Sequence, residues 1–201
     1  LSRYVKEDFV NSLNTVISTC EEMSSGGFQT VITDPMIASE GFEADKVENV
    51  VFCSGKIYYD LLEHRLMVEQ YQNSTDAGAR ETVVAYLKRF ASFDLLKRLE
   101  AGESMDLNRT VFVRLEQLYP FPEDGIQAHI DQFPNAKIHW CQEEPKNMGA
   151  WPMVDEWFCE ALERSYPQYI GRSRSASPAT GFPKIHKAEQ VAIVEKIFNL
   201  S

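Results

Sequence analysis

The residues able to do chemistry lie in three short stretches. Ser54-Gly55-Lys56 follows the apolar run Val50-Val51-Phe52-Cys53 and precedes Ile57, Tyr58, Leu61, Leu62 and Leu66 at helical spacing. A strand that turns tightly into a helix leaves unpaired N–H groups and a positive dipole end at the turn, so Ser54 and Lys56 are placed to hold an anion. The same residues also have a plain structural use, with Ser54 as helix N-cap and Gly55 letting the chain turn. In the second stretch, Gln142-Glu143-Glu144, two carboxylates are adjacent at the end of a strand, where neighbours point to opposite sides. That is the wrong geometry for an acid and base acting on one bond. The expectation is one inward carboxylate, held by a backbone N–H or a partner chain, and one solvated. In the third, Arg172 and Arg174 stand beside Ser173, Ser175 and Ser177. Two guanidiniums with hydroxyls can grip a phosphate, or they can be solvated and pair weakly with the chain's many acids.

Other reactive residues form no constellation. His64, His129, His139 and His186 are isolated, and Cys20, Cys53, Cys141 and Cys159 show no CxxC pair and no zinc-type spacing. There is no GxSxG elbow, no GxGxxG and no Walker pattern. Trp140, Trp151 and Trp157 read as core or interface anchors. The residues offer anion sites and no catalytic machinery.

The elements that position these groups alternate. Leu13–Ser18 reads as a short strand or turn, and Phe28–Ile32 as a strand. Val50–Cys53 is a strand buried on both faces, followed by the Ile57–Leu66 helix. Residues 73–108 read as an insertion: Val83, Leu87, Leu95, Leu96 and Leu99 predict one amphipathic helix, bent near Ser92 and stopped at Gly102. Val111–Leu115 is the next strand, Pro122–Phe133 a helix, and Ile138–Cys141 a strand that Pro145, lacking an N–H, should end. A helix from Trp151 buries Val154, Phe158, Ala161 and Leu162. Tyr169–Arg172 is a fourth strand, 173–181 a polar loop and Ala188–Asn199 a closing helix. The alternation predicts a three-layer α/β fold, a mainly parallel sheet with helices on both faces and right-handed crossovers. Its polar elbows share one rim, where open α/β sheets bind ligands.

The 201 residues suit a single domain, 1–201, with 73–108 inserted in it. At 44% hydrophobic and 25% charged, the composition is that of a globular chain. A net charge of -10 argues against nucleic acid or an anionic membrane as partner and is compatible with a basic one. No apolar run has the length of a membrane span. Free thiols in apolar runs suit a reducing compartment.

Four longer motifs occur in one order: Val51 to Leu61 (VFCSGKIYYDL), Arg114 to Pro122 (RLEQLYPFP), Trp140 to Trp151 (WCQEEPKNMGAW), and Gly171-Arg172 with Ala176 to Gly181 (ASPATG). Together they resemble the C-terminal domain of the decarboxylating component of 2-oxoglutarate dehydrogenase, from about Leu13 to the end apart from the insertion. The resemblance implies a transketolase C-terminal-like fold. It further implies a parent oxidoreductase that uses thiamine diphosphate and magnesium to decarboxylate 2-oxoglutarate in the tricarboxylic acid cycle and passes the succinyl group to the lipoyl arm of a partner succinyltransferase. The thiamine-binding domains would lie upstream, so the fragment is expected to hold no cofactor or metal and to be inactive alone. Implied partners are the remaining domains of the same chain and a homodimer mate, in the mitochondrial matrix or the cytoplasm of a bacterium. Some bacterial family members also bind acetyl-CoA on this domain as an activator. Carried here, that makes Ser54, Lys56, Gln142, Arg172 and Arg174 the candidate regulatory anion positions. The alternatives are the same domain of a 2-oxoadipate dehydrogenase and a stand-alone phosphate-binding module.

Overall fold

The computed structural model describes residues 20–90, 93–161 and 166–200. The expected element at Leu13–Ser18, the bend at Ser92 and the burial of Leu162 lie outside them. The helices are α1 (Cys20–Ser25), α2 (Ile57–Asn73), α3 (Ala77–Phe90), α4 (Phe93–Glu100), α5 (Glu123–Gln132), α6 (Trp151–Ala161) and α7 (Pro183–Phe198). The strands are β1 (Val31–Ile32), β2 (Asn49–Cys53), β3 (Thr110–Leu115), β4 (Lys137–Pro145) and β5 (Gln168–Arg172).

All five strands form one sheet in the order β1-β3-β2-β4-β5. β2 pairs in parallel with β3 (Val51 opposite Phe112) and with β4 (Val51 opposite His139), and β5 extends the sheet in parallel beside β4. Only β1 runs antiparallel, on the outer edge of β3. The expected α/β layering is therefore present. The chain steps from β2 out to β3, then returns across β2 to β4, which puts the topological switch point between the C-terminal ends of β2 and β4.

Alternation along each strand builds the two faces. Val50, Phe52, Val111, Val113 and Trp140 pack under α5 and α6 through Ile126, Ile130, Val154 and Phe158. Val51, Cys53, Phe112, Cys141 and Ile170 pack under α2 and α7 through Ile57, Tyr58, Leu61, Ile193, Val194 and Ile197. All five residues of β2 are buried because both its neighbours and both layers cover it.

Three expectations need correcting. The single helix expected within 73–108 is two, α3 and α4, and α2 itself runs on to Asn73. Val83, Leu87, Leu95, Leu96 and Leu99 close over Val68 of α2 as a separate small core. Burying each such side chain contributes about 1.5–3 kcal/mol, so this hairpin is anchored by its own apolar face. Next, β4 does not stop before Pro145: Pro145 lies opposite Arg172, and the following Lys146 N–H donates to the Arg172 carbonyl at 3.1 Å. Pro145 sits where the ladder needs no donor from it. Finally, α7 starts at Pro183 rather than Ala188, because proline is accommodated in a first helical turn.

One buried ion pair ties the edge strand region to the core. Asp34, 1% exposed, takes both Arg65 Nη1 (2.9 Å) and Nη2 (2.8 Å) on Oδ2 and also accepts the Phe112 N–H (2.7 Å). The Arg65 guanidinium lies 4.3 Å above the Phe112 ring. The Pro35–Ala38 turn is thereby fastened to α2 and β3.

Candidate functional site along the C-terminal rim of the sheet

The five candidate residues do share the C-terminal rim of the parallel strands, but they separate into three local environments. The first is the switch point. Gly55 turns with φ +73°, a conformation that glycine adopts without a Cβ penalty. Ser54 is not the cap of α2. That position belongs to Lys56, which makes no side-chain capping bond. Lys56 instead lies between two carboxylates, Asp60 on α2 and Glu143 on β4, the latter at 3.0 Å. Burial opposes its charge, yet the hydrogen bonds it donates to Asp60 and Glu143 outweigh that and hold Lys56 above the ordinary lysine value. The inward member of the Glu143–Glu144 pair is thus Glu143, held not by a backbone N–H or a partner chain, as expected, but by Lys56 of the same chain. Gln190 of α7 donates to Asp60 at 2.9 Å, closing the cluster. A cation already shared by two acids is a poor anion receptor.

The second environment is Gln142, 3% exposed. Its Oε1 accepts from the Trp140 indole (3.0 Å) and from the Trp151 N–H (2.9 Å), the first free donor of α6. Its Nε2 donates to the Met148 carbonyl at 2.7 Å. Gln142 therefore caps one helix and staples the Pro145–Ala150 loop, with no polar atom left to face a ligand. Gly149 makes this closure possible: φ is +65°, and a Cβ there would stand 2.9 Å from Gln142 Nε2.

The third environment keeps part of its donor set. Between β5, the following loop and α7 is a cleft of about 600 Å³ lined by Arg172, Arg174, Ser173, Thr180, Glu189 and Lys196. Two positions of β5 span the stretch of β4 from Cys141 to Pro145, a bulge that re-aims the strand end. Gly171 permits it, because a Cβ would lie 2.8 Å from the Gln142 carbonyl. Asn147 pins the loop by exchanging hydrogen bonds with the Ser175 backbone, both 2.9 Å. Ser177 is spent within the loop on the Ala179 carbonyl. Arg172 is anchored from one side, with Nε 3.2 Å from Glu189 and Nη2 donating to His186 Nδ1 at 2.9 Å.

Three cations against one carboxylate make this cleft positive in a chain of net charge -10. Its volume falls in the range of small-molecule sites, about 300–1,000 Å³. Arg172 and Arg174 are thus brought together, while Ser54, Lys56 and Gln142 are not among the lining residues. Lys196 was missed. It sits in the last turn of α7, and only the packing of α7 beside β5 brings it to the cleft. Among the described residues no three of His, Cys, Asp and Glu come together to hold a metal.

The profile of the 2-oxoglutarate dehydrogenase C-terminal family matches residues 17–77 and 88–198. Within the stretch expected as an insertion, residues 78–87 fall outside that match. The chain is 35% identical over 184 residues to a 2-oxoglutarate dehydrogenase E1 component of Cupriavidus necator, covering 90% of the chain and 15% of that protein. It is 33% identical to an oxoglutarate dehydrogenase of Buchnera aphidicola and 30% identical to an E1 component of Coxiella burnetii. Each covers 92% of the chain and 16% of the relative. The chain thus spans about one sixth of the length of these curated relatives.

Proposed function

The chain belongs to the 2-oxoglutarate dehydrogenase C-terminal family, and from that premise we propose that it serves as the C-terminal domain of a thiamine-dependent 2-oxoglutarate dehydrogenase. The parent enzyme would decarboxylate 2-oxoglutarate and succinylate the lipoyl group of a succinyltransferase. Thiamine diphosphate and magnesium would be held by other parts of that longer polypeptide. This segment buttresses those parts within a homodimer and carries a regulatory anion site. The supporting observation is the positive β5–α7 cleft, where Arg172, Arg174 and Lys196 face one carboxylate. A CoA-type ligand offers phosphates that guanidiniums bind by charge-assisted hydrogen bonds. Bacterial relatives support the bacterial cytoplasm for a bacterial source and leave the mitochondrial matrix for a eukaryotic one. Among the described residues no helix is long and apolar enough to cross a membrane.

The test is calorimetric titration of the chain with CoA and acetyl-CoA, in parallel with inorganic phosphate. Saturable heat is expected, weakened at least about tenfold in Arg174→Gln, whose exposed side chain is not needed for folding. No heat at millimolar ligand would remove the regulatory site. The chain alone with thiamine diphosphate and magnesium is expected to show no decarboxylation, and clear turnover would overturn the assignment of the cofactor elsewhere.

A further inference from the structure

Away from the rim, a groove of about 780 Å³ lies between α2, the Pro35–Glu40 turn and the Ser104–Asn108 loop. Its apolar lining is Met36, Leu62, Leu66, Met105 and Leu107, all half-buried; the first two and last two pack at the margins of the three cores, whereas Leu66 belongs to none of them. Three exposed carboxylates, Glu40, Glu69 and Asp106, stand around it. Among the described residues Glu40 and Glu69 enter no salt bridge. Asp106 accepts the Asn108 N–H at 3.1 Å. Arg65, the cation in the lining, is held by Asp34, and Lys46 and Arg109, near Asp106, are held by Glu43 and Glu48.

Both walls are fixed by polar clamps. Gln72 on α2 donates to the Met105 carbonyl (3.2 Å) and accepts the Met105 N–H (2.6 Å), holding the loop in place. On the opposite side the buried Asp34–Arg65 pair holds the turn. A groove shaped before its occupant arrives loses less ordering entropy on binding. Two methionines in the lining let it adapt to differently shaped apolar anchors.

We propose that this groove docks a basic amphipathic helix of a separate protein. Its apolar residues, at i, i+3, i+4 and i+7, seat on Leu62, Leu66 and the two methionines, and its lysines or arginines lie over Glu40, Glu69 and Asp106. Charge selects this occupant. A second copy of the chain, with net charge -10, would be repelled by the same three acids, whereas a basic helix is steered toward them.

The probe is a fluorescent amphipathic peptide of about 18 residues with leucines on one face and lysines on the other, together with a control in which glutamates replace the lysines. Anisotropy titration of the 201-residue chain should give saturable binding of the basic peptide alone. Glu40→Lys with Glu69→Lys should weaken it at least about tenfold, whereas Glu156→Lys with Glu160→Lys on α6, with the same net charge, should change it less than about twofold. Amide shifts on peptide addition should concentrate in 62–72 and 104–108, a readout that needs no variant to fold. Equal weakening by both charge pairs would reduce the effect to the overall field and overturn the proposal. So would absent saturation, shifts elsewhere, or self-association of the chain abolished by the groove pair.

Discussion

Replacing His64 with leucine is expected to remove part of the acid sensitivity of this fold. His64 lies on α2 at 1% exposure, with its ring 4.8 Å from that of Phe198 and 6.4 Å from that of Tyr86. Its Nε2 has no hydrogen-bond partner. Burial among these rings disfavours the imidazolium and lowers the His64 pKa to about 4, against 6.5 for a free histidine. Between pH 6.5 and 4 the unfolded chain therefore takes up a proton that the folded chain refuses. Stability is unaffected by this group above pH 6.5 and falls as the pH drops through that window. About two and a half pH units at about 1.36 kcal/mol each amounts to about 3 kcal/mol, a large share of the usual 5–15 kcal/mol of a domain. His139 works in the same direction. Burial comes first for it and nearby Lys137 and Lys196 add to the effect, bringing its pKa also to about 4. The assay is urea unfolding of the native chain and His64→Leu from pH 7.5 to 4.5. Carboxylate protonation is common to both proteins and cancels in the difference. The variant should gain on the native chain by about 2–3 kcal/mol between pH 6.5 and 4.5. Parallel profiles, or a His64 resonance that titrates near 6.5, would show that the ring is hydrated and the reasoning wrong.

Two further outcomes follow from buried polar groups. Asp34→Ala leaves the Arg65 guanidinium, itself 5% exposed, without its counter-charge and frees the Phe112 N–H. It should cost about 3–5 kcal/mol, read as a lower denaturation midpoint, and a loss under 1 kcal/mol would mean that water replaces the carboxylate. Gln142→Leu strips partners from the Trp140 indole, the Trp151 N–H and the Met148 carbonyl. It should cost about 2–4 kcal/mol while CoA affinity changes less than twofold; a selective loss of affinity with unchanged stability would make Gln142 a ligand contact after all.

What the sequence alone determined is everything that depends on local pattern. Val50–Cys53, Val111–Leu115 and Ile138–Cys141 are largely apolar runs that give way to polar residues, and they are adjacent parallel strands in the fold. Period and punctuation are local properties, so they survive folding. The four linked motifs likewise carried the family, because a motif's order is written in the chain itself. What only the tertiary structure decided is which groups meet. Lys56 reads as a ligand position from its place at a tight turn and Gln142 from the family resemblance, yet one is claimed by Asp60 and Glu143 and the other by groups up to nine residues away. Lys196 reads as an ordinary helix-end lysine until α7 packs beside β5. The split of the 77–100 segment into α3 and α4 was hidden because both helices turn their leucines toward the same Val68. Apolar spacing reports the face a residue buries. The partner across that face is set by the packing of elements distant in the chain, and so is the charge left unpaired at the rim.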